Sequence, residues 1–268
     1  MLLKKIRREV LVALSMIGLK SAKIKRNGFG YRIPLFHGMG RWLFTKHDEW
    51  RRKVLQTIPD DENVDVLDIG LNVGQSLLDF NEILPRTNYI GVEPNPACVF
   101  YLNELIRSNS LSNKTILPFG LNERKEVLSL MSKGWDDASS SVVSHRGNFY
   151  KTTIYTLTGD EIIDELKLKN VKLIKIDVEG FELSVLKGLS RTIASQRPVI
   201  FCEINKRSEH QIEFFDLVDS LGYHMYAQTE DFGARRVLGL PLKERHGNDF
   251  ILIHPSQEES WLKLLETV

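Results

Sequence analysis

From residue 64 onward, apolar positions fall in two alternating patterns. Continuous apolar runs at 64–69, 88–92, 115–119, 171–178 and 198–204 predict buried strands. Segments of helical spacing lie between and after them. Residues 76–84 are stopped by Pro85, and 96–108 open with Pro96, where a missing N–H costs little. Residues 159–166 predict a short helix, Leu183, Leu186, Leu189 and Ile193 predict another, and 211–221 end at Gly222. Residues 223–227 and 249–253 add two closing strands. The alternation predicts an α/β fold, a doubly wound, seven-stranded, mostly parallel sheet of Rossmann-like type with an antiparallel edge. Residues 125–155 alternate weakly, through Val127, Leu128, Leu130, Val142 and Val143, and predict a hairpin or lid insertion.

The first 60 residues follow another pattern. Leu3, Ile6, Val10, Ala13, Leu14 and Ile17 recur at helical spacing behind a basic start, which predicts an amphipathic helix. Its apolar stretch of about ten residues falls short of the roughly 20 that a membrane span needs. No small-residue cleavage site follows it. Residues 27–38 suggest short strands broken by glycines, and 48–58 a helix with Trp50, Val54, Leu55 and Ile58 on one side. The polar stretch 59–63 marks the expected boundary between an extension, 1–60, and a main domain, 61–268.

Composition adds two points. Cys98 and Cys202 are the only cysteines, each in an apolar context, so no disulfide framework is expected and a cytoplasmic setting fits. The net charge of +1 conceals a division: residues 1–58 carry 14 Lys and Arg against 3 Asp and Glu, and the remainder carries 22 against 32. A basic front on an acidic body implies either solvation or contact with something anionic, such as the inner membrane surface, a charged glycan or a lipid-linked phosphate. No nucleic-acid partner is expected. The seven histidines have no zinc-ligand spacing, and no metal site is expected.

The candidate chemistry lies at the strand ends, where open α/β sheets bind ligands. Asp68-Ile69-Gly70-Leu71-Asn72-Val73-Gly74 is a glycine turn after the first strand, and Glu93-Pro94 ends the second. Gly70 and Gly74 permit a tight turn, and Glu93 is positioned to accept both hydroxyls of a ribose. The G-x-x-x-G spacing differs from the G-x-G-x-x-G that a dinucleotide pyrophosphate needs. With Asp68 before the turn, an ammonium is favoured over a phosphate, so S-adenosylmethionine fits better than NAD. Gly120 and Leu121, after the third strand, suit an adenine ring. Asp177 and Glu179 end the fourth strand, and Glu203 and Asn205 the fifth. These acids could hold the methionine ammonium, act as a base or ligate a divalent metal; the metal-free reading is favoured. His145, in a serine-rich run of the insertion, is a third candidate base.

Taken in order, Asp68-x-Gly70-x-Asn72-x-Gly74, Glu93-Pro94-x-Pro96, the block Ile174 to Glu182 with Val185, Leu186 and Gly188, and Glu203 resemble the FkbM family of S-adenosylmethionine-dependent methyltransferases. The resemblance covers roughly residues 60–207. It implies a class I methyltransferase fold and O-methylation of a sugar, polysaccharide or glycolipid precursor. By the same resemblance Asp68, Gly70, Asn72, Gly74 and Glu93 would bind the cofactor, and Asp177 or Glu203 would be the base, with His145 in reserve. Leu71 stands where the family usually has alanine. Two other readings compete: a non-catalytic subunit that binds S-adenosylmethionine or glycan, and an NAD-dependent sugar oxidoreductase.

Overall fold

The computed structural model describes residues 10, 13, 15, 18–36, 39–44, 48–132, 150–204, 210–229, 233–238 and 248–267. In chain order the strands are β1 (Ser21–Arg26), β2 (Phe29–Pro34), β3 (Asp65–Ile69), β4 (Asn88–Val92), β5 (Lys114–Leu117), β6 (Gly120–Leu121), β7 (Glu126–Ser132), β8 (Tyr150–Leu157), β9 (Val171–Ile176), β10 (Val199–Glu203), β11 (His224–Gln228), β12 (Ala234–Arg236) and β13 (Asp249–Ile253). The helices are α1 (Glu49–Gln56), α2 (Gln75–Ile83), α3 (Pro96–Asn109), α4 (Gly159–Glu165), α5 (Glu182–Gly188), α6 (Ser190–Gln196), α7 (Gln211–Ser220) and α8 (Pro255–Thr267).

The central sheet has the order β12-β11-β13-β10-β9-β3-β4-β5. β5, β4, β3, β9 and β10 are parallel neighbours, and β13 inserts antiparallel between β10 and β11. This is the doubly wound, mostly parallel sheet that the alternation predicts. The short β12 makes it eight strands rather than seven. The chain winds outward from β3 to β5 and returns at β9, so the order reverses between β3 and β9. That reversal opens a crevice at the carboxyl ends of these two strands.

Strand periodicity assigns each side chain to a face. Val66 and Leu173 join one cluster, with Trp50 and Val54 of α1, Leu77 and Phe80 of α2, and Tyr101 and Leu105 of α3. Leu67, Ile69, Ile174 and Ile176 join the other, beneath Ile163 of α4, Val185 of α5, Ile193 of α6 and Phe214 of α7. The expected single helix through 183–193 is two helices, which meet at Leu189. In the weakly alternating segment, β7 and β8 pair antiparallel and β6 joins β8, making a small separate sheet. Residues 133–149 between them lie outside the described part, as does most of the expected amphipathic helix at 1–20.

Residues 21–58 pack against the main sheet's first face. β1 and β2 form a hairpin around Asn27-Gly28, both at positive φ (48° and 87°), as two-residue hairpin turns require. Tyr31 and Ile33 of β2 enter the same core as Tyr101 and Leu102. A buried charge network joins this segment to α2. Arg26 pairs with Asp79 and Glu82, Arg51 with Asp79 and Asp48, and Arg52 with Asp79 and Glu82. Three of the basic residues that make the front end positive are therefore engaged by two carboxylates of the acidic body, Asp79 and Glu82.

Candidate functional site

Two cavities open at the carboxyl ends of the strands, and Asp177 lines both. The first, of about 780 Å³, lies over the carboxyl ends of β3, β4 and β9. The glycine turn forms its floor. Gly70 has φ +82°, and a Cβ there would sit 1.8 Å from the Asp177 carbonyl oxygen, so no other residue fits without moving the β9 end. Asn72 also adopts a left-handed φ of 53°, which asparagine tolerates. Its backbone N–H donates to Glu93 Oε2 at 2.8 Å, and the Asn95 N–H donates to Oε1 at 2.8 Å. Glu93 is thus fastened at both oxygens, and each keeps a lone pair for another donor. Burial pushes its pKa up to about 7, against the pull of these two N–H groups. Pro94, Gly120 and Leu121 line the same cavity, and Leu128, Leu130 and Ile154 of the small sheet give it an apolar wall.

The second cavity, of about 710 Å³, lies between the sheet's first face and residues 26–51. Register explains its chemistry. Lys175 and Phe201 are neighbours across β9 and β10, and Glu203 and Asp249 across β10 and β13. Two residues beyond Lys175, Asp177 follows at the strand end. Each of these strands is apolar at its centre and charged near the crevice. From the N-terminal segment come Arg26, Trp42, Leu43, Asp48 and Arg51. Burial, Asp177 and Asp249 push Glu203 up to about 7, and burial and Asp48 push Asp249 up to about 6.

Lys175 lines the second cavity and contacts Gly70 and Asp177, which line the first. It is 3% exposed, and its Nζ lies 3.3 Å from Asp68 Oδ1, 3.3 Å from Asp177 Oδ2 and 3.0 Å from the Gly70 carbonyl oxygen. Burial alone would lower its pKa, but Asp68 and Asp177 hold it above the ordinary value. Two carboxylates around one ammonium leave this centre with a net negative charge.

Most of the residues expected at the site meet here. Gly70, Asn72, Glu93, Pro94, Gly120, Leu121 and Asp177 line the first cavity, and Glu203 lines the second with Asp177. Two residues are set back. Asp68 is fully buried on the first face; it accepts a hydrogen bond from the Tyr89 hydroxyl at 2.7 Å and pairs with Lys175, so it can reach a ligand only through Lys175. Gly74 starts α2, where a Cβ would crowd Leu102 at 2.9 Å, and it does not line the cavity. His145 and Asn205 lie outside the described residues. Leu71 is accommodated because Gly91 opposite it has no side chain; a Cβ there would lie 2.6 Å from Leu71 Cδ2. Among the described residues, no group of three or more His, Cys, Asp or Glu is arranged to hold a metal ion.

Sequence reasoning missed Lys175, Asp249 and Arg51. Lys175 did leave a signal, as the one of two lysines in the apolar strand Val171-Lys172-Leu173-Ile174-Lys175-Ile176 that stands next to the crevice end. Asp249 and Arg51 left none, because long-range pairing alone brings them to the site.

This fold and this glycine turn are those of a Rossmann-like methyltransferase. The Methyltransferase FkbM domain family matches residues 68–230, more than half of the chain, and the chain belongs to that family. It is 29% identical over 146 residues to the hexuronic acid methyltransferase AglP of Haloferax volcanii, across 53% of this chain and 57% of AglP. Among solved structures it is similar to the methyltransferase FkbM of Methylobacillus flagellatus KT, with a TM-score of 0.48 and 20% identity over 72% of this chain and 44% of that one. It is also similar to Aeropyrum pernix fibrillarin in complex with S-adenosyl-L-methionine, with a TM-score of 0.46 and 14% identity over 87% and 82% of the two chains. The chain spans little more than half the length of AglP and less than half of the Methylobacillus protein.

Proposed function

We propose that this protein is an S-adenosylmethionine-dependent O-methyltransferase that acts on a sugar hydroxyl of a glycan or glycolipid precursor. The observation that carries the reading is Glu93, held by the N–H groups of Asn72 and Asn95 on the floor of a cavity that continues to Asp177.

The residues present suit this cofactor. A carboxylate with one free lone pair on each oxygen matches a ribose diol. The wall of Leu121, Leu128, Leu130 and Ile154 matches a flat purine, and the negative Asp68–Lys175–Asp177 centre matches an ammonium and a sulfonium. When bound, S-adenosylmethionine supplies an electrophilic methyl group.

The protein's own part is alignment and proton removal. Gly70 brings the backbone close to the ligand, Glu93 fixes the ribose end, and Asp177 faces both cavities, where it orients donor and acceptor. Glu203 is the candidate base: a carboxylate with a pKa of about 7 takes a hydroxyl proton near neutral pH far better than an ordinary glutamate. A sugar acceptor is supported by the similarity to AglP, a hexuronic acid methyltransferase.

No helix among the described residues is long and apolar enough to cross a membrane. Lys20, Lys23 and Lys25 remain exposed on the N-terminal segment, and they support peripheral contact with an anionic surface or a lipid-linked glycan on the cytoplasmic side. The test is to incubate the full chain with methyl-labelled S-adenosylmethionine and a panel of neutral and acidic glycosides. Label in an ether-linked methyl group is expected. Cofactor binding with no transfer to any member would instead favour a non-catalytic subunit.

A further inference from the structure

Methyl transfer as proposed uses Gly70, Glu93, Asp177 and Glu203, and leaves the buried Lys175 without a role. Resting on the methyltransferase reading above, we propose that Lys175 is a positioning residue for the amino-acid end of the cofactor: its ammonium ties the Gly70 turn to the end of β9 and holds Asp177 by one oxygen, so that the other oxygen meets the cofactor's ammonium.

Sheet register places the lysine. Lys175 pairs with Asp68 across β9 and β3, the two strands between which the sheet order reverses. Its Nζ donates to the Gly70 carbonyl oxygen at 3.0 Å, and it lies 3.3 Å from Asp68 Oδ1 and 3.3 Å from Asp177 Oδ2. An ammonium has three N–H groups, and three protein oxygens already surround this one. Lys175 does not line the first cavity, so it acts on a ligand there through its partners. It is also unsuited to be the base. Burial opposes its charge, but Asp68 and Asp177 outweigh burial and keep its pKa above the usual lysine value.

The partners show what the lysine holds. Asp68 is fully buried, and the Tyr89 hydroxyl donates to its other oxygen at 2.7 Å, so it is a fixed anchor. Asp177 is fixed only in part. Its backbone N–H donates to the Ile69 carbonyl oxygen at 3.0 Å, but its side chain is 36% exposed, and Lys175 is its one ion-pair partner among the described residues. Without the lysine, that carboxylate is free to turn into solvent. Gly70 and Asp177 both line the first cavity, so one buried ammonium sets a turn carbonyl and a carboxylate of the cofactor site at once. Groups held in place before the ligand arrives spare it the cost of ordering them.

Calorimetric titration of the full chain with two probes tests this. S-adenosylhomocysteine carries the amino-acid end, whereas 5′-methylthioadenosine keeps the nucleoside and the thioether but lacks that end. Lys175→Met keeps the length of the side chain and loses its charge. It should weaken S-adenosylhomocysteine by at least about tenfold, the worth of one charge-assisted hydrogen bond, and 5′-methylthioadenosine by less than about threefold. In an Asp177→Asn background it should weaken S-adenosylhomocysteine by less than about threefold more, because the contact it positions is already lost. Should Lys175→Met fail to fold with Asp68 left unpaired, the combined variant Asp68→Asn, Lys175→Met removes both buried charges, and the same split between probes is expected. Equal losses for the two probes would show a general structural role and overturn the proposal. So would S-adenosylhomocysteine affinity that is unchanged or higher in Lys175→Met, or a full tenfold further loss, roughly, in the Asp177→Asn background. Each of these leaves the methyltransferase reading standing, whereas failure of S-adenosylhomocysteine to bind the wild type removes both.

Discussion

Asp79→Asn tests how the N-terminal segment is attached. Asp79 is fully buried on α2 and receives three guanidinium groups: Arg51 Nε at 3.0 Å and Nη2 at 2.5 Å, Arg52 Nη1 at 2.9 Å, and Arg26. Asparagine keeps the shape but loses the charge, and it turns an N–H₂ toward groups that can only donate. Three arginines would then share Glu82 and Asp48. Removing one partner of a buried ion pair costs about 3–5 kcal/mol. Because Glu82 still pairs with Arg26 and Arg52, we place this case near the lower end, about 3 kcal/mol. At roughly 2–4 °C per kcal/mol for a chain of this size, the midpoint should fall by about 6–12 °C.

Urea unfolding and a thermal melt measure this directly, and pH supplies a second signature. Burial would raise the Asp79 pKa, but Arg51 and Arg26 hold it below the ordinary value of 3.8. A depressed carboxylate stabilises the fold above its unfolded pKa and loses that contribution as pH falls through the folded one. The stability difference between wild type and Asp79→Asn should therefore be constant near neutrality and shrink below pH 3.8. A difference under about 1 kcal/mol at neutral pH, or one that does not shrink in acid, would refute the buried-network account.

Other expectations concern the site itself. Gly70→Ala should cost several kcal/mol, about 1–2 from the left-handed backbone and more from the contact with Asp177, and should abolish S-adenosylhomocysteine binding; an alanine variant that melts and binds like wild type would contradict the close approach. In the Glu203 assignment, kcat/KM rises with pH through about 7 as the carboxyl ionises, and Glu203→Gln removes that limb of the profile; a variant that keeps the limb identifies another base.

Much of the fold is legible because local patterns carry it. The apolar runs of β3, β4, β9 and β10 and the helices between them lie within a few residues of where the periodicity predicts. Pro96 at the first position of α3 and Asp48 as the N-cap of α1 act as local sequence rules expect. The hairpin of β1 and β2 was only half legible: Asn27-Gly28 is a strong turn signal, yet the expected strands began after it rather than before it. The break at Leu189 could not be read, because Leu183, Leu186, Leu189 and Ile193 keep helical spacing straight through it.

The site was legible where chemistry is local and illegible where it is tertiary. The glycine turn and Glu93 lie on consecutive strands, so their meeting follows from one βαβ unit. Asp68 shows the limit. Its position beside the turn suggested ligand contact, but alternation along β3 points it with Val66 toward the first face, where Tyr89 and Lys175 engage it. The charge division along the chain was visible, whereas its use in joining Arg26, Arg51 and Arg52 to α2 depends on how residues 21–58 fold back.

The cofactor site is the centre of this account, and calorimetric titration of S-adenosylhomocysteine into wild type and Glu93→Ala tests it most directly. Wild type should bind in the micromolar range, and Glu93→Ala should lose about 1.5–3 kcal/mol, a factor of roughly 10–150, for the charge-assisted bonds to the ribose. Absence of binding to the wild type, or equal affinity in the two proteins, would contradict the assignment of the first cavity.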